Sequence, residues 1–286
     1  MRRPRLAGLA RSVMETIAVY GKGGIGKSVV ATGLSAFYAM NGQRVLHVGC
    51  DPKHDSALRL LEQRTRIRTV LEVLRDDPEA AGTDEILTRG RHGITCCEAG
   101  GPEPGVGCAG RGVARMIETL DEMQLLQSGR FDVGVFDVLG DVVCGGFAAP
   151  LRDGFARKVL IVLSEEPMAI FAANNIARAI HIYRNNGVCL GGLVLNLRSN
   201  AAETGLVERF AQRLNTRILE VIERDPRIQE AEKQQRTILE YAPDAPASRA
   251  LDRLGRTLLE IDPSRVALPT PMGEEEFFEF LRSDGG

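Results

Sequence analysis

The chain has 286 residues, 44% hydrophobic and 26% charged, enough to bury one sizeable core and ordinary for a globular protein. Lys and Arg (36) nearly balance Asp and Glu (38), leaving a formal charge of −2, so no global field favours nucleic acid or an anionic membrane. The longest apolar runs are of core-strand length, well short of the roughly 20 residues that span a bilayer, which predicts a soluble, cytoplasmic protein.

Residues 1–13 begin Met1-Arg2-Arg3-Pro4-Arg5, which hints at an export signal. The apolar stretch behind them is short and broken by Gly8 and Arg11, so a disordered extension is expected. One folded unit is expected over 14–262, with 263–286 as a tail whose Glu274–Phe278 stretch forms a terminal helix packed on a dimer. The first strand, 16–20, runs straight into Gly21-Lys22-Gly23-Gly24-Ile25-Gly26-Lys27-Ser28 and then Val29. Such a loop turns backbone N–H groups onto phosphate oxygens, while its last lysine reaches the terminal phosphates and the following hydroxyl ligates Mg²⁺. ATP or GTP is the cofactor it predicts.

The same residues spell the Gly-x-Gly-x-x-Gly of dinucleotide folds, and Asp51 ends the next apolar run, 44–49, about where a ribose acid would stand. Two features decide against that reading. Lys27-Ser28 complete the triphosphate pattern, and Asp137 follows the strand 131–136 as a Mg²⁺-site acid should. Lys22 is not needed for the cradle; it is either a solvated loop cation or a charge acting in trans.

Further strand-length runs fall at 93–97, 158–163, 188–195 and 217–222. Helices are predicted over 27–41, 113–126, 168–186, 202–215, 226–235 and 247–260. The alternation predicts an α/β fold, a doubly wound, mostly parallel sheet with helices on both faces. Residues 51–56, 99–112 and 137–147 each follow a strand, so all three should gather at the carboxyl edge as switch segments.

Of six cysteines, Cys50, Cys96, Cys97 and Cys189 lie in or at the ends of apolar strands and read as small buried hydrophobes. Cys108 and Cys144 sit instead among glycines that let backbone N–H groups approach an iron–sulfur ion. A [4Fe–4S] cluster needs four thiolates, and a symmetric dimer would supply two from each chain. The isolated His47, His92 and His181 read as structural, and His54 as a switch-loop hydrogen-bonder.

Five motifs together, Gly-Lys-Gly-Gly-Ile-Gly-Lys-Ser (21–28), Gly-Cys-Asp-Pro-Lys (49–53), residues 100–112, residues 137–147 and Ala-Ala-Asn-Asn (172–175), resemble those of the nitrogenase iron protein family. The resemblance covers about 14–262 and implies a P-loop ATPase that works as a homodimer. It also implies one [4Fe–4S] cluster held by Cys108 and Cys144, with ATP and Mg²⁺ as further cofactors. Residue by residue, it assigns Lys27 and Ser28 to phosphates and Mg²⁺ and Lys22 to the partner's nucleotide. Asp51 would position the attacking water; Lys53, Asp55 and Ser56 would form one switch, and Asp137 and Asp141 the other. Asn196, Arg224, Gln229 and Glu232 would lie near adenine and ribose. Arg111 would dock on the catalytic partner and is ADP-ribosylated in some family members. Ferredoxin or flavodoxin would donate the electrons.

Within that family the chain is a mosaic. Its Pro-Glu-Pro loop and Cys108-Ala-Gly-Arg111 resemble nitrogenase, whereas Asp51-Pro-Lys-His54-Asp-Ser and Cys144-Gly-Gly-Phe-Ala-Ala resemble the protochlorophyllide branch. Val29-Val30 stands where both have Thr-Thr. The reading is an ATP-dependent reductase component outside nitrogen fixation proper, of the methylthio-alkane reductase type. The nitrogenase and protochlorophyllide reductase iron proteins are the alternatives within the family, and a non-redox partitioning-type switch ATPase is the competing class.

Overall fold

In the computed structural model the described residues run from 14 to 283, apart from 54, 63–65, 78–83, 102–108, 141–145, 147 and 153–154. The extension expected over 1–13 lies outside them. The chain builds one eight-stranded sheet from β1 (Glu15–Tyr20), β2 (Val45–Cys50), β3 (Thr88–Arg89), β4 (Thr95–Glu98), β5 (Val133–Val138), β6 (Lys158–Leu163), β7 (Cys189–Asn196) and β8 (Ile218–Ile222). Their order is β3-β4-β2-β5-β1-β6-β7-β8, parallel throughout except for β3 against β4. In β1, β2, β5 and β6 all six residues are buried, which is why they read as unbroken apolar runs rather than alternating ones.

The helices are α1 (Lys27–Met40), α2 (Val70–Asp76), α3 (Ala109–Glu122), α4 (Pro167–Ile182), α5 (Gly205–Arg213), α6 (Pro226–Lys233), α7 (Ile238–Tyr241), α8 (Pro246–Glu260) and α9 (Glu274–Arg282). Every expected strand run holds a strand, and every expected helix holds one too. The sequence reading lacked β3, α2 and α7, and it placed α3 about a turn late.

Because β1 lies between β5 and β6, and the chain builds leftward through β2 before returning to the right, the strand order reverses beside β1. The loops after β1, β2 and β5 therefore open at one carboxyl edge, where an open α/β sheet binds its ligand.

The C-terminal segment packs on its own chain. Phe277 of α9 is fully buried edge-on to Phe171 of α4, with ring centroids 5.1 Å apart. Met272 exchanges two 2.9 Å hydrogen bonds with the Asn174 side chain. Burying a side chain the size of Phe277 contributes about 1.5–3 kcal/mol, enough to hold a nine-residue helix that could not persist alone.

Candidate functional site

The phosphate loop owes its shape to glycine. Gly24 and Gly26 have φ of +73° and +100°, in the left-handed region, and a Cβ on Gly26 would come 2.4 Å from Asn196 Nδ2. Gly26 also caps α1 without a side-chain hydrogen bond, so no cap side chain occupies the N–H groups of the first turn, the arrangement that binds anions. Lys27 Nζ folds back to the Lys22 carbonyl at 3.3 Å, across the mouth of the loop. From the end of β7, Asn196 Nδ2 donates to Ile25 O at 2.7 Å, and Arg198 donates to Gly24 O at 3.0 Å. Arg198 carries no sequence signal, since its role depends only on where β7 ends.

Asp137 stands beside this loop, 4% exposed, in register with Val19 of β1 and Gly49 of β2. Burial raises its pKa, opposed by hydrogen bonds from Ser28 and Ser56 and by the charges of Lys27 and Arg59. Ser56 Oγ donates to Asp137 Oδ2 at 2.5 Å. On the other side of Gly49, in register on β4, lies Glu98. A Cβ on Gly49 would come 2.0 Å from Glu98 Oε2, so the glycine leaves the room that this carboxyl fills. The 3₁₀ turn Ser56–Arg59 closes over the pair: Ser56 binds Asp137, and Ala57 N donates to Glu98 Oε1 at 2.7 Å.

Glu98 Oε2 is buried with no hydrogen-bond partner among the described residues. Burial pushes the Glu98 pKa up to about 8; the Ala57 N–H opposes this, and the charges of Asp137, Asp55 and Asp51 add to it. Behind Ser56, the fully buried His47 has Nδ1 2.9 Å from Ser35 Oγ and Nε2 3.0 Å from Ser56 Oγ. Burial brings its pKa down to about 3, so the ring is neutral. Sequence reading missed both residues: it took His47 as isolated and did not single out Glu98.

The rest of the first switch is open. Asp51 Oδ1 accepts from Lys53 N at 2.9 Å, and Lys53 and Asp55 are exposed, while His54 lies outside the described residues. Val29, Asn196, Arg224, Gln229 and Glu232 line one cavity of about 270 Å³, which brings together the residues expected near adenine and ribose. Glu232 also pairs with Arg59 at 2.5 Å, which ties the 3₁₀ turn to this cavity.

Cys108, Asp141 and Cys144 lie outside the described residues, whereas Gly101, Gly110, Gly140 and Gly146 near them lie within. A Cβ on Gly146 would come 2.1 Å from Gly110 O, so backbone two residues beyond each cysteine is in contact. Gly140 lies against the phosphate loop, where its Cβ would be 3.5 Å from Gly23 N, and a Cβ on Gly101 would be 2.4 Å from Pro52 Cβ. Gly101 and Gly140, which flank the two cysteine segments, thus lie against the first switch and the phosphate loop.

The four described cysteines are unlike metal donors. All are buried, and burial pushes their thiols up, Cys96 to about 12 and Cys189 to about 11. Arg111 is exposed on the first turn of α3.

A glycine cradle on an uncapped helix, with a lysine and serine behind it and an aspartate on the adjoining strand, defines a P-loop NTPase. The fold is similar to that of the cell-division ATPase MinD of Pyrococcus furiosus, with a TM-score of 0.69, 20% identity, 87% of this chain and 99% of that one covered. It is also similar to cobyrinic acid a,c-diamide synthase of Mycobacterium smegmatis with bound ATP analogue and magnesium, with a TM-score of 0.63, 21% identity, and 91% and 100% covered.

Sequence places the chain more finely. The family model for 4Fe-4S iron–sulfur cluster binding proteins of the NifH/frxC family matches residues 15–285. The nitrogenase iron protein of Methanococcus voltae is 41% identical over 272 residues, covering 94% of this chain and 96% of that protein. Nitrogenase iron protein 2 of Methanothermobacter thermautotrophicus is 42% identical over 269 residues, covering 94% and 98%. The chain belongs to the NifH/frxC family, and a [4Fe–4S] cluster with Mg²⁺ and ATP goes with that membership. No helix among the described residues is long and apolar enough to cross a membrane.

Proposed function

We propose that the chain is the ATP-driven iron protein of a nitrogenase-like reductase, working as a homodimer that passes electrons from ferredoxin or flavodoxin to a separate catalytic component. The observation that supports this reading is the contact of Gly146 with Gly110, which brings together the backbone two residues beyond Cys144 and Cys108. Cys108 and Cys144 of each chain would hold the cluster, which supplies one-electron transfer when bound. Residues 14–262 are the ATPase and cluster domain of this reading, and 263–286 its tail.

Within the nucleotide site, Lys27 neutralises the terminal phosphates, Ser28 and Asp137 hold Mg²⁺, and Asp51 orients the attacking water. Lys22 reaches the partner's nucleotide and stabilises charge on the transferred phosphoryl group. Lys53, Asp55 and Ser56 report the nucleotide to Pro52 and so to Gly101, while Asp137 and Asp141 report it along the segment that leads to Cys144. Exposed Arg111 meets carboxylates of the catalytic component.

The mosaic of loop motifs supports methylthio-alkane reduction as the pathway. The 41% and 42% identity to nitrogenase iron proteins favours nitrogenase as a second reading. Supplying the purified protein separately to a nitrogenase component and to a methylthio-alkane reductase component, and following acetylene and methylthio-ethanol reduction, decides between them. Faster support of the second component is expected; faster support of nitrogenase overturns the branch while leaving the ATPase reading intact.

A further inference from the structure

Four side chains from four parts of the chain form one buried line: Ser35 on α1, His47 on β2, Ser56 on the first switch and Asp137 on β5. Their hydrogen bonds can run in only one direction. Ser56 has a single hydroxyl proton and donates it to the Asp137 carboxylate, so towards His47 its oxygen can only accept. His47 must therefore carry its proton on Nε2, which leaves Nδ1 to accept from the Ser35 hydroxyl. The four residues are 0–4% exposed, so no water competes for these bonds.

The register of the sheet makes the line possible. His47 and Gly49 are two apart on β2 and face the same side, and Gly49 pairs with Asp137, so the ring lies one step behind the carboxylate. The 3₁₀ turn then lowers Ser56 between them.

We propose that His47 is a positioning residue: through its Nε2–H it holds the Ser56 hydroxyl on Asp137 and so sets that carboxylate for Mg²⁺, with Ser35 fixing the tautomer. The proposal rests on the assignment of Ser28 and Asp137 to Mg²⁺. Lys27 and the loop amides bind the phosphates without the metal, whereas the line acts on the metal's acid alone. The quantity to read is therefore the ratio of ATP affinity with Mg²⁺ to ATP affinity without it, measured by calorimetry on the anaerobically purified dimer.

Losing one hydrogen bond that orients a charged acceptor lowers such a ratio by about tenfold. His47→Leu should show that drop with metal-free ATP affinity unchanged, and His47→Gln, whose amide can both donate and accept, should restore the ratio to within about twofold of the parent. Ser35 acts only through His47, so the Ser35→Ala/His47→Leu pair should match His47→Leu alone. Ser28→Ala is the control on the underlying assignment. If Ser28→Ala loses the Mg²⁺ enhancement and His47→Leu keeps it, the positioning role is wrong. If Ser28→Ala keeps it, the Mg²⁺ assignment itself fails, and the role with it. Should His47→Leu not fold, Ser56→Ala removes the same link, and an undiminished ratio there overturns the proposal.

Discussion

Two buried charged clusters occupy opposite edges of one sheet. At the amino edge Lys158 and Glu15, 0% and 2% exposed, pair at 2.7 Å, and Lys158 also donates to Leu258 O at 2.7 Å. At the carboxyl edge Asp137 and Glu98 are buried just as deeply, but acids dominate and Glu98 Oε2 has no partner among the described residues. The first cluster brings its own counter-charge. The second gathers carboxyl groups beyond the charges of Lys27 and Arg59 that face Asp137, and Glu98 answers by keeping its proton up to about pH 8. Buried charge alone therefore does not mark a site; buried carboxyls crowded together until their pKa values shift are the better marker.

The comparison breaks most visibly at Lys158. Lys158→Met leaves Glu15 buried without its counter-charge and should cost about 3–5 kcal/mol of stability in urea denaturation. Nucleotide affinity of the folded fraction should not change, and a parallel loss of affinity would show that the two edges are one system. Lys22 is the converse case. Lys22→Ala should keep the parent melting temperature yet slow ATP hydrolysis by about 10³ when saturated with the catalytic partner, as removal of a trans-acting cation does. Hydrolysis at the parent rate would exclude the trans role.

Smaller effects separate the titrating groups of the carboxyl edge. Glu98 is raised to about 8, so between the ordinary carboxylate range and pH 8 the folded chain holds a proton that the unfolded chain has released. Stability from this group is full at acid pH and is lost as pH rises towards 8, at most about 1.4 kcal/mol per pH unit. His47 acts oppositely. Its pKa falls from 6.5 to about 3, so its contribution is full above pH 6.5 and is lost as pH drops towards 3. Urea titrations across pH should show Glu98→Gln flattening the alkaline limb and His47→Gln the acid limb. An unchanged profile in either variant would mean that its group does not titrate as its burial demands.

What the sequence showed and what it hid divide along physical lines. Gly21–Ser28 was legible because its pattern lies within one contiguous stretch of chain between a strand and a helix. Asp51 and Asp137 were legible because each ends an apolar run. Glu98 and His47 were not, because their meaning comes from the pairing of Gly49 with Asp137 on one side and Glu98 on the other, a register that no single stretch of chain encodes. Helix α2 escaped because its seven residues are too few for an apolar period, although the Thr69–Glu72 capping box announces its start. Helix α3 was placed late because Gly110 and Gly112 in its first turn read as loop. Gly112 is instead a packing residue, since a Cβ there would come 2.9 Å from Gly100 O. Arg59 and Arg198 reach partners far away in sequence and could not be seen at all.

The central claim is that Cys108 and Cys144 of two chains hold one cluster at the edge where the nucleotide binds. The measurement closest to it is iron content and visible absorbance of the anaerobically purified protein and its six single Cys→Ser variants. About four irons per dimer are expected for the parent, for Cys50→Ser, Cys96→Ser and Cys97→Ser, and for Cys189→Ser, with loss of the cluster in Cys108→Ser and Cys144→Ser. Retention of the cluster in Cys108→Ser, with loss in a variant of one of the four buried thiols, would contradict the account.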